Sequence, residues 1–233
     1  MKVEGILIDF DNTLYDYERC HQYALTAVYH NHFSKLDWDF ESFVLQYNQA
    51  KRPLHATLHG QAASHNRLLY FQRLIEGFSK PQEHSYSLAL ECYHDYWSDF
   101  VQRIELFEDV IPWLKAMRKR GLKIVMVTDL TADVQFLKLK QLNLELLLDF
   151  VVTSEEAGCE KPHPFIFELA LRKSGLQPDQ VCMIGDSFDK DVMGAVNLGI
   201  PAFWLNQTHK TKSLPPQVIE IQNFKEMWDY LHE

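Results

Sequence analysis

The chain has 233 residues, of which 46% are hydrophobic, so it can bury a core of ordinary size and its composition argues against disorder. Its formal net charge of −9 disfavours nucleic acid as a partner, because a phosphate backbone requires a basic surface. The first residues predict a strand rather than an export signal, and no apolar run reaches the length of a membrane span. Four cysteines without a C-x-x-C pair indicate reduced thiols in a cytoplasmic protein.

The N-terminal segment is an apolar run that ends in two acidic residues. Residues 3–8 are mostly apolar, and Asp9 and Asp11 follow them directly. A buried strand cannot hold carboxylates that lack partners, so we expect the chain to leave the core at this point. Two acids at the tip of a strand suggest a shared cation, a nucleophile with an acid–base partner, or both.

The next segment, residues 15–101, contains no clear buried strand and carries apolar side chains at helical spacing. The pattern predicts four helices, at 18–33, 40–51, 65–76 and 85–100. In the last helix we expect one stripe to pack in a core, namely Tyr86, Leu90, Tyr93 and Trp97. An all-helical insertion directly after two acids is expected to act as a lid.

From residue 102 onward, short apolar strands alternate with helical patterns. The strands are predicted at 122–127, 149–152, 180–184 and 201–205. This alternation is typical of a parallel sheet covered by helices on both faces, with right-handed crossovers. We therefore predict an α/β protein with a doubly wound, Rossmann-like core formed by residues 1–14 and 102–233, into which residues 15–101 are inserted as a helical cap.

Polar side chains follow four of these predicted strands at the points where they end. In chain order they are Asp9, Asp11, Thr128, Asp129, Lys161, Asp186 and Asp191. Ligands of open α/β sheets bind outside the carboxyl ends of the strands, so these side chains are expected to converge on one site.

In this order, the polar residues resemble the four signature motifs of the haloacid dehalogenase superfamily. The matching segments are Asp9–Leu14, Thr128, Lys161–Pro162 and Gly185–Asp191. The resemblance covers residues 1–14 and about 102–210, and the helical insertion is similar to the first cap type of the family, without a specific sequence match. The two acids of the first motif look like those of the phosphatases in this superfamily.

The resemblance implies Mg²⁺-dependent hydrolysis of a phosphate monoester. Asp9 would attack phosphorus to form an aspartyl-phosphate, and Asp11 would protonate the leaving oxygen and then deprotonate a water. Mg²⁺ would be held by Asp9, the backbone carbonyl of Asp11 and Asp186. Thr128 and Lys161 would bind the phosphoryl group.

The resemblance also implies supporting roles for three other residues. Backbone N–H groups near Asn12 and Asp129 would help to bind the phosphoryl group. Asp191 would orient Lys161 or the waters on the metal.

Asp129 departs from the family pattern, in which asparagine or serine usually follows the threonine. An extra carboxylate beside a phosphate is unfavourable unless it turns away, caps the helix expected near Thr131, or pairs with a residue of the cap. We predict the capping role, because an acid just before a helix suits it. A further hypothesis is that Asp129 favours substrates that carry a cationic or polyhydroxyl group.

Substrate choice is expected to depend on the helical insertion. Arg52, His65 and Arg67 belong to a basic, polar stretch around Pro53 and Gly60, which either reads the substrate or forms a solvated interhelical loop.

The sequence thus predicts a cytoplasmic phosphatase, monomeric or homodimeric, for a small phosphorylated metabolite such as a sugar phosphate or nucleoside monophosphate. It predicts no nucleic-acid or membrane partner. Two alternatives remain open: a phosphomutase of the same superfamily, and a catalytically weak protein that binds phosphorylated ligands.

Overall fold

The computed structural model describes residues 3–78 and 85–230 and divides the chain into two compact units. The first, termed the core unit, comprises Met1–Asp16 and Glu105–Glu233. The second, termed the helical unit, comprises Tyr17–Ile104. Within the described ranges, no helix combines the length and the apolar character that crossing a bilayer requires.

A six-stranded parallel sheet forms the centre of the core unit. Its strands in chain order are β1 (Gly5–Ile8), β2 (Lys123–Thr128), β3 (Phe150–Thr153), β4 (Val181–Gly185), β5 (Ala202–Leu205) and β6 (Val218–Ile221). They lie across the sheet in the order β3-β2-β1-β4-β5-β6, which reverses direction between β1 and β4. The predicted α/β, Rossmann-like class is confirmed, and the reversal point marks where such sheets bind ligands.

The helices of the described residues fall into two groups. Those of the helical unit are α1 (Tyr17–Val28), α2 (Phe40–Thr57), α3 (Arg67–Glu76) and α4 (Ser85–Gln102). Those of the core unit are α5 (Val110–Lys119), α6 (Ala132–Gln141), α7 (Ser154–Ala157), α8 (Pro164–Ser174) and α9 (Met193–Val196).

The inner strands of the sheet are buried on both faces. Leu7 and Val125 belong to one apolar cluster together with Phe167 of α8 and Ala195 of α9. Their neighbours in the strands, such as Ile6, point to the opposite face and are also inaccessible to solvent. Burial of both faces explains the continuous apolar runs from which the strands were predicted.

Aromatic rings build the core of the helical unit. The rings that are almost completely inaccessible are Phe33, Phe43, Tyr47, Tyr70, Phe71, Tyr96 and Phe100. The Phe33 and Phe43 centroids lie 4.8 Å apart, and those of Phe71 and Tyr96 lie 6.0 Å apart at an interplanar angle of 61°. Contacts of this kind each contribute about 0.5–1.5 kcal/mol beyond the burial of apolar area.

Two expectations for the helical unit were wrong. Helix α2 continues through Pro53 to Thr57, because a proline near a helix end removes only one hydrogen bond of the last turns, so Arg52 lies in a helix and not in a loop. In α4 the expected stripe is wrong at Tyr86 and Leu90, which are 74% and 45% exposed, whereas Trp97 is buried as predicted. The buried positions of α4 are Ala89, Cys92, Tyr96, Trp97 and Phe100.

A histidine of α1 contacts this aromatic core. The Nδ1 atom of His21 lies 2.6 Å from the hydroxyl of Tyr96, and its ring lies 5.7 Å from the tyrosine ring. Burial, reinforced by the positive charges of Arg67 and Lys51, lowers the pKa of His21 from 6.5 to about 3. The folded helical unit therefore holds this imidazole in its neutral form near neutral pH.

We expect the pKa shift of His21 to make the folded state less stable in acid. As pH falls, His21 is protonated near pH 6.5 in the unfolded chain but only near pH 3 in the folded chain. The free energy of unfolding therefore decreases as pH falls through this window. The loss approaches about 1.4 kcal/mol per pH unit. His21→Gln should weaken this dependence, so that between pH 6.5 and 5 the wild type loses about 2 kcal/mol more than the variant.

Denaturant unfolding at the two pH values measures this difference. His30→Gln is the matched control, because His30 is exposed at the end of the same helical stretch, and it should keep the wild-type dependence. Parallel pH curves for the wild type and His21→Gln would contradict the prediction.

Candidate active site

A tight turn at the carboxyl end of β1 places the first acidic residue. Asp9 follows the strand and is 5% exposed, and its N–H donates to the carbonyl of Ile184 in β4 over 2.9 Å. Asn12 then adopts a left-handed conformation with φ of 64°, which reverses the chain. As a result, the hydroxyl of Thr13 donates to Asp9 Oδ2 over 2.7 Å and accepts from the Asp186 N–H over 3.1 Å. Thr13 was not among the predicted site residues, although it lies only four residues after Asp9, within the segment that matches the first motif.

Lys161 forms the centre of the site. It is 4% exposed, and its ammonium lies 2.5 Å from Asp9 Oδ1 and 2.7 Å from Asp191 Oδ1. Its third polar contact is the carbonyl of Val127 in β2, at 3.0 Å. Asp9 and Val127 accept hydrogen bonds from this ammonium, and Asp191 forms an ion pair with it. Burial opposes the charged form, but the carboxylates of Asp191 and Asp9 outweigh it and hold the pKa of Lys161 well above its usual value.

Three carboxylates converge beside this lysine. Asp9, Asp186 and Asp191 each offer an oxygen within 4.8 Å of the others. Burial raises the pKa of Asp9 well above its usual value, against the opposing charge of Lys161. Burial, and then the charge of Asp191, raises the pKa of Asp186 to about 7.

This cluster fits a divalent cation. Buried like charges are unfavourable on their own, and a divalent cation among them would relieve both the repulsion and the burial cost. Hard carboxylate oxygens are the ligands that Mg²⁺ prefers. Asp191 is thus placed for two roles, since it contacts Lys161 and also belongs to the cluster. The carboxylate of Asp11 does not belong to the cluster and contacts Lys138.

The residues after β2 bring the phosphate-binding candidates to the same edge of the sheet. Thr128 is buried, and its hydroxyl accepts a hydrogen bond from Gln135 Nε2 over 2.7 Å. Asp129 Oδ1 accepts from the Lys161 N–H over 3.0 Å, and Asp129 Oδ2 accepts from Lys190 Nζ over 2.8 Å. Burial opposes ionisation of Asp129, but the charges of Lys161 and Lys190 prevail and lower its pKa.

The expected capping role of Asp129 is wrong. The N–H of Ala132, at the start of α6, donates to Glu155 Oε2 over 2.8 Å, and no side chain caps that helix from position 131. Leu130 has a φ of 92°, so the chain turns sharply between Asp129 and the helix. The Asp129 carboxylate is directed instead towards the backbone N–H of Lys161 and the ammonium of Lys190.

The second acid of the first motif has its own partners. Asp11 accepts a hydrogen bond from the hydroxyl of Tyr15, and its two oxygens lie 2.8 and 3.0 Å from the ammonium of Lys138. Gln135 Nε2 lies 3.3 Å from Asp11 Oδ2. Neither of these α6 residues was predicted from the sequence. Their signal was periodicity, because Gln135 and Lys138 occupy the same buried helix face as Val134.

The predicted substrate residues belong to the helical unit. Arg67 is buried at the start of α3, where it donates to the carbonyl of His65 over 2.6 Å and to the hydroxyl of Tyr17. Its guanidinium lies 5.4 Å from the ring centroid of Tyr70. Arg67 is therefore an interior residue of the unit and not part of a solvated loop. The structure brings His65 and Arg67 together, while Arg52 is exposed on α2.

Comparisons with known proteins identify the family of this chain. A family model for haloacid dehalogenase-like hydrolases matches residues 3–199. The chain therefore belongs to the haloacid dehalogenase-like hydrolases. One curated relative, the ribulose-1,5-bisphosphate 5-phosphatase of Halopiger xanaduensis, is 35% identical over 201 residues, which cover 84% of this chain and 82% of the relative.

Two further matches are a second curated relative and a solved structure. The glyceraldehyde 3-phosphate phosphatase of Methanopyrus kandleri is 31% identical over 203 residues, covering 85% of this chain and 82% of that protein. The crystal structure of a HAD phosphatase from Thermococcus onnurineus superposes with a TM-score of 0.77 at 24% identity, covering 99% of this chain and 97% of that one. These findings confirm the predicted superfamily and the predicted enzyme class, a phosphatase.

We expect a methyl group at Gly185 to disable the site. A Cβ built on this last residue of β4 would lie 2.5 Å from the Cβ and Cγ atoms of Asp191, so Gly185→Ala must displace Asp191 and with it Lys161. Displacing catalytic groups by about 1 Å can lower turnover about 10²-fold. The measurement is kcat/KM for phosphate release.

Gly5→Ala provides the matched control. A Cβ at this first residue of β1 would lie 2.5 Å from Cδ1 of Leu176, at the amino end of the same sheet. Both substitutions overpack the core, which typically costs about 1–3 kcal/mol of stability. Only Gly185→Ala should lose activity beyond its loss of folded protein, and equal losses in both variants would refute the prediction.

Proposed function

We propose that this protein hydrolyses phosphate monoesters of small metabolites, with sugar phosphates as the leading class, through an aspartyl-phosphate at Asp9 and with Mg²⁺. The observation that carries the proposal is the buried pair of Asp9 and Lys161 at the reversal point of the sheet. A carboxylate held by an ammonium can approach a phosphate dianion, because the positive charge offsets the repulsion between nucleophile and substrate.

The reaction proceeds in two displacements. An oxygen of Asp9 forms a bond to phosphorus while the bond to the leaving oxygen breaks, and Asp11, after taking up a proton from solvent, gives it to that oxygen to release the alcohol. Asp11 then takes a proton from a water whose oxygen attacks phosphorus, and the bond to Asp9 breaks. Inorganic phosphate leaves, Asp11 returns this proton to the solvent, and both groups are again carboxylates.

Lys161 and Thr128 bind the transferring group in this scheme. The ammonium of Lys161 contacts Asp9 directly and would pair with a phosphoryl oxygen as well. The hydroxyl of Thr128 accepts a hydrogen bond from Gln135 and donates its proton to the Asp129 carbonyl over 3.2 Å, a contact that it would exchange for a phosphoryl oxygen. Backbone N–H groups of the turn at Asn12 and of Asp129 would complete the phosphate site.

Asp9, Asp186 and Asp191 are the carboxylates that would hold the metal ion. The raised pKa of Asp9 and that of Asp186, with burial as the main cause, support this assignment, because such a site favours a cation. Bound Mg²⁺ would supply charge that offsets the negative phosphoryl oxygens. The backbone carbonyl of Asp11 is the further ligand that the family resemblance suggests.

The substrate class is inferred from two relatives. Ribulose-1,5-bisphosphate 5-phosphatase and glyceraldehyde 3-phosphate phosphatase are both named for phosphorylated sugars. We therefore rank sugar phosphates above nucleoside monophosphates, and we expect a cytoplasmic enzyme without nucleic-acid or membrane partners. The unusual carboxylate of Asp129 is accounted for by its contacts with Lys161 and Lys190.

Replacement of the nucleophile is the direct test. Asp9→Asn should lower phosphate release by more than about 10³-fold, because an amide cannot form the covalent intermediate. The assay is phosphate release from a panel of metabolite phosphates with Mg²⁺. Activity should disappear on chelation and return with added Mg²⁺.

Asp189→Asn is the control for this test. Its side chain is 79% exposed in the same motif as Asp186, so the variant should keep wild-type activity. Circular dichroism and thermal melting establish that both variants fold. Turnover that survives in Asp9→Asn would refute the mechanism, and a requirement for a bisphosphorylated activator would indicate a phosphomutase instead.

The hypothesis that Asp129 selects substrates can be tested with the same panel. Asp129→Asn keeps an acceptor for the Lys161 N–H but loses the ion pair with Lys190. We expect kcat/KM to fall about fivefold for every substrate, in line with the loss of one partly exposed ion pair. Lys190→Met should reproduce this uniform loss. A changed ranking of substrates in Asp129→Asn alone would support selectivity instead.

A further inference from the structure

A second buried ammonium belongs to the core unit and lies against the acid–base residue. The side chain of Lys138 has no solvent exposure, and its Nζ atom lies 2.8 Å from Asp11 Oδ1 and 3.0 Å from Asp11 Oδ2. The rings of Phe10 and Tyr15 lie 5.7 and 5.9 Å from this ammonium, within the range of cation–π attraction. A charge so deeply buried persists only where a carboxylate compensates it, and Asp11 provides that compensation.

The same helix face holds Asp11 and the phosphate-binding threonine. Gln135 and Lys138 are one turn apart on α6, so their side chains share a face. Nε2 of Gln135 lies 2.7 Å from the Thr128 hydroxyl, 2.8 Å from the Asp129 carbonyl and 3.3 Å from Asp11 Oδ2. The helix thereby connects the acid–base group to the strand end that receives the phosphate.

The position of Asp11 needs such support. Its side chain is 21% exposed, and it lies just before the tight turn at Asn12, outside the regular hydrogen bonding of β1. An aspartate with two free torsions samples several orientations, whereas proton transfer requires one orientation within hydrogen-bond reach of the reacting oxygen. Contacts from Lys138, Tyr15 and Gln135 restrict that choice.

We propose that Lys138 is a positioning residue for the hydrolysis. Its ammonium holds the Asp11 carboxyl group in the orientation from which it exchanges protons with the leaving oxygen and with water. This inference rests on the proposed function, and it assigns no chemical step to Lys138 itself.

The leaving group separates this role from a merely structural ion pair. An alkoxide leaving from a sugar phosphate needs protonation as the bond breaks, whereas p-nitrophenolate leaves readily without it. A mispositioned Asp11 therefore impairs the first substrate more than the second. A structural defect lowers both alike, because it acts through the amount of competent enzyme.

The experiment compares kcat/KM for ribose 5-phosphate and p-nitrophenyl phosphate in Lys138→Met. This parameter reports the first phosphoryl transfer, in which the leaving group is expelled. We expect a loss of about 10²-fold for ribose 5-phosphate and a loss about tenfold smaller for p-nitrophenyl phosphate, given the usual contribution of general acid catalysis. Lys140→Met, at an exposed position of the same helix, should match the wild type.

The double variant with Asp11→Asn provides a second readout. If Lys138 acts through Asp11, Lys138→Met should cause no further loss once the carboxylate has been replaced. Tyr15→Phe removes another donor to Asp11 and keeps the buried ammonium, so it should show the same substrate preference to a smaller extent. This variant keeps the test decisive if Lys138→Met does not fold.

The possible failures are distinguishable. Equal losses on the two substrates, or losses that multiply in the Asp11→Asn background, would overturn the role of Lys138 and leave the proposed hydrolysis standing. Absence of wild-type phosphate release from either substrate, with Mg²⁺ present, would overturn the proposed function itself.

Discussion

A single buried ammonium, that of Lys161, fixes the geometry on which the rest of the site depends. Its three polar partners come from the ends of three neighbouring strands: Asp9 after β1, Val127 in β2 and Asp191 after β4. A charge buried this deeply costs several kcal/mol unless it is paired, and loss of one partner leaves the others uncompensated. The ion pairs and hydrogen bonds of this ammonium therefore hold the strand ends together, in addition to the hydrogen bonds of the sheet.

The two acids of the first motif are held by different cations. Asp9 contacts Lys161 and Asp11 contacts Lys138, and each ammonium is almost inaccessible to solvent. At this edge of the sheet the two ammonium groups are outnumbered by the carboxylates of Asp9, Asp11, Asp186 and Asp191. Recognition of an anion by this acidic chain would therefore depend on the local positive charge of the lysines together with that of a bound cation, and not on the total charge.

The features that follow from the local sequence pattern were predicted correctly, whereas contacts that depend on tertiary packing were not. Strands buried on both faces appear as apolar runs, so the polar residues at their ends, such as Thr128 and Asp186, could be located directly. Lys138 was missed because a lysine in a helix is normally solvated, and only the three-dimensional arrangement provides its carboxylate partner. Asp129 was assigned to the wrong role because its choice between a helix and Lys190 depends on the turn at Leu130.

The way in which the chain leaves the core unit and returns to it has a consequence for the whole protein. Tyr15 and Leu106 form an antiparallel bridge, and the N–H of Phe107 donates to the carbonyl of Leu14 over 3.0 Å. These contacts hold the outgoing and returning segments side by side, so the residues between them form one long hairpin connection of the sheet. Since the entropic cost of closing a loop rises only by about 0.6 kcal/mol for each doubling of its length, the stability of the sheet depends little on the length of this connection. Insertions of quite different size and sequence could be exchanged at this point while the catalytic groups stay in register.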